Sequence, residues 1–145
     1  MLRGCIVCLS DCFAKVLTQT SKILNKPSIF IVDDDSAVRD SLDAYLSMKG
    51  MNVRTYDSAE ALLNESAPLM AELLVLDVNL PGIDGFELLS ELRSRSVLVP
   101  AILISGRFSP EFQQRAMEAG VVCLIEKPID HRGLMAAIAN GLGSV

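Results

Sequence analysis

Five side chains capable of chemistry stand at or just behind the ends of short apolar runs. Asp33 and Asp34 follow SIFIV (28–32), Asp77 follows LLVL (73–76), Ser105 follows VPAILI (99–104), and Lys127 lies two residues beyond VVCLI (121–125). Each has a bland reading: an aspartate after a strand often caps the next helix, as Asp35 or Ser36 would here, and a lysine before a loop is usually solvated. Together they define a chemistry. Converging carboxylates repel unless a hard cation sits among them, and an all-oxygen set suits Mg²⁺ better than zinc, which favours His or Cys. A cation beside a carboxylate, an ammonium and a hydroxyl suits a phosphoryl group in transfer. The positive groups neutralise its equatorial oxygens and the hydroxyl donates one hydrogen bond. Asp77 is the natural nucleophile, because a carboxylate can form an aspartyl phosphate. Without metal, like charges at Asp33, Asp34 and Asp77 should destabilise the fold, so Asp34→Asn and Asp77→Asn are both expected to melt higher in chelator.

These residues meet only if the apolar runs lie side by side, pointing the same way. From Pro27 onward the chain alternates such runs with amphipathic segments, five times. The expected strands are 28–32, 51–56, 73–76, 99–104 and 121–125. The helices between and after them span Ser36–Met48, Ser58 to about Ser66, Asp84 to about Arg95, Ser109–Ala119 and Asp130 to about Leu142. Gly50 and Gly120 are placed to end helices, and Ser109-Pro110 reads as an N-cap followed by proline at the first helical position. Strands apolar throughout are buried on both faces, hence parallel and covered by helices. The fold class is α/β, a doubly wound five-stranded parallel sheet of the flavodoxin-like kind. Ligands of such sheets bind beyond the carboxyl ends of the strands, where all five residues fall.

The strings IVDDD, LVLDVNLPGIDG, ILISG and IEKP, in this order and spacing, resemble the receiver domain of two-component response regulators. The resemblance covers about residues 28–143. It implies that Asp33 and Asp34 are the acidic pair binding Mg²⁺, that Asp77 accepts the phosphoryl group and also ligates the metal, and that the backbone carbonyl of Asn79 completes the metal shell. Ser105 takes the Thr/Ser switch position, and Lys127 contacts the phosphoryl group ahead of a cis bond to Pro128. The implied donor is a phosphohistidine on a sensor histidine kinase or a histidine phosphotransfer protein. The implied activity is self-catalysed phosphotransfer and slow autodephosphorylation, not that of an enzyme with an external substrate. The wording DDDSAVRDSL, SAEALL, AMEAG and EKPID is most similar to receivers that precede helix-turn-helix output domains. No such domain follows here, which suits a stand-alone receiver or a fragment. One departure stands out: Leu124 occupies the place where the family usually carries Tyr or Phe, which puts the usual read-out in doubt.

Two other functions compete. A haloacid-dehalogenase-type phosphatase also uses an aspartate nucleophile with Mg²⁺, but it needs a second Asp two positions on, where Asn79 stands, and a cap domain for which no residues remain. A degenerate receiver that only binds partners is the other, and it draws support from Leu124 alone.

Composition excludes several other classes. Of 145 residues, 50% are hydrophobic and 21% charged, which excludes disorder over most of the length. The net charge of −5, with 13 scattered basic residues, argues against direct binding to nucleic acid. No run approaches the ~20 apolar residues of a membrane helix. Residues 1–26 are expected to form an N-terminal extension outside the receiver domain of 27–145. There Arg3, Lys15, Lys22 and Lys26 outweigh Asp11, and Phe13, Val16, Leu17 and Leu24 lie near helical spacing. The extension also carries Cys5, Cys8 and Cys12, which read either as half of a metal site or as an incidental cluster. With Cys123 they are too few for a disulfide framework, so a cytoplasmic, reducing location is expected.

Overall fold

The structure, a computed structural model, describes residues 26–65 and 70–143. Five parallel strands, β1 (Ser28–Val32), β2 (Asn52–Tyr56), β3 (Leu73–Asp77), β4 (Ala101–Ser105) and β5 (Cys123–Glu126), form one sheet in the order β2-β1-β3-β4-β5. Five helices alternate with them: α1 (Ser36–Met48), α2 (Ala59–Leu63), α3 (Gly85–Ser94), α4 (Pro110–Glu118) and α5 (His131–Gly143). The expected doubly wound sheet is present.

Alternate residues of each central strand feed opposite cores. Phe30, Val32, Leu74, Leu76 and Leu103 pack with Leu62, Leu88, Leu89, Leu92 and Ala116 from α2, α3 and α4. Ile29, Ile31, Leu73, Val75, Ile102 and Ile104 pack with Leu42, Leu46, Leu134 and Ile138 from α1 and α5. Burial on both faces explains why β3 and β4 tolerate no polar residue before their last position. The strand order reverses between β1 and β3, and a crevice opens there at the carboxyl edge.

Helix starts follow the side chains that cap them. Asp35, Ser58 and Ser109 each accept an amide from their own first turn. Asp84 and Glu87 form a reciprocal capping box at α3, and Asp130 accepts the amides of Arg132 and Gly133 ahead of α5. Gly50, at φ +86°, turns the chain out of α1.

Boundaries differ from expectation where side chains or proline intercept the ladder. β4 begins at Ala101 rather than Val99, because the Arg93 guanidinium takes the carbonyls of Val97 and Val99 at 2.8 Å and Pro100 has no N–H. β5 begins at Cys123, since the amide of Val121 is still bonded to Ala116 of α4. Helix α2 ends at Leu63, where Asn64 caps it and Glu65 turns back to pair with Arg54. The expected N-terminal helix and Cys5, Cys8 and Cys12 lie outside the described residues; Cys123 is a free, half-buried thiol.

Candidate functional site

Register brings the strand ends together. Val32 pairs with Leu76, Asp77 with Ile104, and Ser105 with Glu126, so the residues that follow emerge along one edge. Carboxylate oxygens of Asp33, Asp34 and Asp77 lie within 4.8 Å of one another. Asp33 and Asp77 are buried, at 1% and 3% exposure, whereas Asp34 faces solvent. Lys127 reaches in from beyond β5. Its Nζ donates to Asp77 Oδ2 at 3.1 Å and lies 3.4 Å from Asp33 Oδ2. The second contact is an ion pair without hydrogen-bond alignment, so Asp33 Oδ2 is a buried oxygen with no donor.

Each carboxylate is aimed by the backbone that carries it. Asp33 Oδ1 accepts the amide of Asp35, and Asp77 Oδ1 accepts the amide of Asn79 at 3.0 Å. These Asx turns leave the Oδ2 atoms facing Lys127. The loop after β3 folds tightly because α3 starts on Gly85. A Cβ there would stand 2.7 Å from the carbonyl oxygen of Asp77. From the other side, the Glu60 carboxylate of α2 accepts the amide of Ile83.

Burial, followed by the nearby charge of Asp77, raises the Asp33 pKa, although the Asp35 amide and Lys127 pull it down. Burial lowers the Lys127 pKa, but the hydrogen bond to Asp77 and the charges of Asp33 and Asp77 outweigh it, so the net direction is upward. Two buried acids and one cation leave net negative charge before Asp34 is counted. An oxygen-only donor set with a buried carboxylate oxygen that accepts no hydrogen bond fits a hard divalent cation such as Mg²⁺.

Ser105 sits at the same edge, buried, but its hydroxyl is engaged locally: it donates to the carbonyl of Arg107 at 2.9 Å and accepts the Arg107 amide. The hydroxyl therefore joins the cluster only by giving up that bond. Lys127–Pro128 is a cis peptide. Leu124 pairs with Leu103 and is partly buried against the α2–α3–α4 core.

Aromatic and basic side chains that the sequence does not single out join the expected site residues around this edge. A cavity of about 910 Å³ beside the cluster is lined by Asp34, Asn79, Ser105, Arg107, Phe108 and Phe112, among others. Phe112 meets Phe86 edge-to-face at 5.2 Å and stacks on Phe108 at 5.5 Å, and Arg115 lies 4.1 Å over the Phe86 ring. Arg39 Nη1 donates to the carbonyl of Asp33 at 2.7 Å. Nothing in the sequence distinguishes Arg39, Phe112 and Arg115 from ordinary helix-face residues, or marks Phe108 in the loop before α4.

A doubly wound parallel sheet with an acidic cluster and a lysine at its carboxyl edge is the architecture of a receiver-type domain. The family model described as the response regulator receiver domain matches residues 29–139, and the chain belongs to that family, part of two-component signalling. Among its relatives, the transcriptional regulatory protein FixJ of Azorhizobium caulinodans is 37% identical over 115 residues, covering 79% of this chain and 54% of that protein. The transcriptional regulatory protein AruR of Pseudomonas aeruginosa is 40% identical over 119 residues, covering 79% and 48%. The chain thus spans about half the length of these relatives. The crystal structure of FixJ-N is similar at 34% identity and a TM-score of 0.74, over 83% of this chain and 96% of that one. The chemotaxis protein CheY4 of Vibrio cholerae, 24% identical with a TM-score of 0.75 over 81% and 99%, shares the fold. No helix among the described residues is long and apolar enough to cross a membrane.

Proposed function

We propose that this domain accepts a phosphoryl group on Asp77 and uses the resulting change of conformation to regulate a partner. The donor is a phosphohistidine of a sensor histidine kinase or histidine phosphotransfer protein, in a cytoplasmic setting. The observation that carries this reading is the environment of Asp77: a buried carboxylate held by the Asn79 amide on one oxygen and by Lys127 on the other, within 4.8 Å of Asp33 and Asp34.

A carboxylate oxygen of Asp77 attacks phosphorus, the phosphorus–nitrogen bond to the donor imidazole breaks, and the imidazole leaves with the electron pair. Lys127, already at Asp77, follows the charge onto the phosphoryl oxygens. Ser105 exchanges its bond to Arg107 for one to a phosphoryl oxygen, which links phosphorylation to the loop after β4. Asp33, Asp34, Asp77 and the carbonyl of Asn79 would hold Mg²⁺, which when bound neutralises charge on the transferred group. Hydrolysis of the aspartyl phosphate resets the domain.

Asp77 lacks a carboxylate two residues on, so water attack has no built-in general base there; a slow reset follows from Asn79. The receiver is taken to comprise 27–145, with 1–26 as an extension. A domain that only binds partners is the second reading, favoured by Leu124.

Incubation with acetyl phosphate and Mg²⁺, followed by intact-mass measurement and peptide mapping, tests the proposal. One phosphoryl group on Asp77 is expected, with none in Asp77→Ala or in excess chelator. Stoichiometric labelling of Asp77→Ala would overturn the assignment.

A further inference from the structure

The acidic triplet Asp33-Asp34-Asp35 spans the turn from β1 into α1, and one residue grips it at both ends. The amide of Arg39 donates to the carbonyl of Asp35 at 3.1 Å, the first bond of the helix. Its guanidinium folds back, and Nη1 donates to the carbonyl of Asp33 at 2.7 Å. The second bond is short and charge-assisted, and Arg39 is half-buried. Between these two anchors lie the Asp35 amide, bonded to Asp33 Oδ1, and the carboxylate of Asp34. The Asp33 amide is fixed separately, by the carbonyl of Tyr56 on β2.

We infer that Arg39 is a positioning residue of the divalent-cation site: its guanidinium holds the β1–α1 turn so that the carboxylates of Asp33 and Asp34 converge. The inference rests on the proposed metal role of these aspartates. Two effects of Arg39 on a bound cation oppose one another. Its positive charge repels the ion, and removing it would tighten binding. Its hydrogen bond fixes the peptide unit that joins the two residues bearing these carboxylates, and removing it would let the turn relax.

The bond is short and part-buried, whereas repulsion between the guanidinium and the ion is screened by the open, solvent-facing side at Asp34. Positioning therefore outweighs repulsion. Loss of an outer partner of a metal ligand typically lowers affinity about 10–100-fold, and roughly tenfold is expected here, since the Asx turn and the Tyr56 contact remain. A residue of this kind escapes sequence reading, because an arginine one turn into an amphipathic helix has the pattern of a solvated residue.

The test measures Mg²⁺ affinity of the unphosphorylated chain by calorimetry, and amide exchange of residues 34–36 in chelator, for wild type, Arg39→Met and Arg39→Lys. Arg39→Met should bind Mg²⁺ about tenfold more weakly and exchange faster at these amides. Arg39→Lys, which keeps a donor and the charge, should lie nearer wild type on both readouts. Equal or tighter binding by Arg39→Met overturns the inference, because charge would then dominate. Should Arg39→Met fail to fold, Arg39→Gln, polar but too short to reach the carbonyl, is held to the same two criteria. If wild type itself binds no Mg²⁺, the metal reading of the aspartates fails, and the exchange arm still decides whether Arg39 holds the turn.

Discussion

Lys127 Nζ donates to Asp77 Oδ2 across 3.1 Å, reaching from beyond the end of β5 past β4 to the end of β3. The ammonium thus occupies one oxygen of the carboxylate proposed to take the phosphoryl group, while also compensating Asp33 at 3.4 Å. A single cation serves two buried acids. This sharing sets what each substitution does.

Lys127→Ala should lower metal-free stability by about 1–3 kcal/mol, because two buried carboxylates lose their cation. Mg²⁺ affinity should hold or rise, since an ammonium competes with the ion for the same oxygens. Phosphorylation-dependent output should fall. Thermal melts and Mg²⁺ titrations check the pair of signs, and a large loss of Mg²⁺ binding would contradict the arrangement.

Burial and the Asp77 charge raise the pKa of Asp33 in the folded domain above the ordinary 3.8. The folded state therefore holds this proton more tightly than the unfolded chain. The contribution of Asp33 to stability is greatest below 3.8 and is lost as pH rises through its folded value. In chelator, the melting gap between wild type and Asp33→Asn should move in favour of the variant as pH climbs through this window. The stabilisation of wild type by Mg²⁺ should grow over the same range, because the metal takes the deprotonated form. Lys127 follows the same sign at the alkaline end: its raised pKa supplies stability below 10.5 that is lost as pH rises through its folded value. Melting curves against pH for the two proteins, with and without Mg²⁺, decide this. A gap that stays constant or moves the other way would contradict it.

Gly85→Ala is expected to destabilise by about 1–3 kcal/mol, the usual consequence of overpacking. Its Cβ would meet the Asp77 carbonyl oxygen at 2.7 Å and Val78 Cα at 2.9 Å, both backbone atoms that cannot swing aside. The displaced carbonyl belongs to the residue proposed to take the phosphoryl group, so labelling by acetyl phosphate should fall more than stability alone explains. Gly143→Ala, with nothing within 4 Å of its Cβ, is the matched control and should do neither.

The sheet and the cluster were legible for one reason: strands buried on both faces are written as unbroken apolar runs, and whatever follows them must fall at one edge. Asp33, Asp77 and Lys127 converge as that logic requires. Its resolution ends at hydrogen bonds made by long side chains. Arg93 moves the start of β4 by capturing two carbonyls, Arg39 grips the acidic turn, and the Phe86–Phe112–Phe108 contacts join α3 to α4. None of these has a periodic signature. The bond between Ser105 and the Arg107 backbone was likewise invisible, because it depends on the path of the loop after β4.

Removal of residues 1–26 is expected to leave a folded, phosphorylatable domain, because the five strands and five helices after Pro27 supply an apolar core on each face of the sheet. Circular dichroism and acetyl phosphate labelling of the truncated chain check this. Failure of either would place the extension inside the domain.

Asp34 and Asp77 part company in the last expectation. Both were expected to melt higher as asparagine in chelator, on the ground that like charges repel. The Asp77 charge is met by Lys127, so Asp77→Asn removes an attraction together with a repulsion and should change stability little. Asp34 is exposed, and its carboxylate makes no hydrogen bond or ion pair among the described residues, while an oxygen of each buried neighbour lies within 4.8 Å. At an effective dielectric near 20, a pair of charges ~5 Å apart repels by roughly 3 kcal/mol before water screens it. Exposure removes most of that, so Asp34→Asn should be more stable than wild type by about 0.5 kcal/mol in chelator. Mg²⁺ reverses the order, because stabilisation by a ligand follows its affinity for the native state and Asp34→Asn has lost a ligand oxygen. Wild type should therefore gain more from Mg²⁺ than either variant. Six melting curves, three proteins with and without Mg²⁺, are sufficient. If Asp34→Asn melts below wild type in chelator and gains as much from Mg²⁺, then the exposed carboxylate is neither repelled by its neighbours nor part of the metal site, and the role proposed for it is wrong.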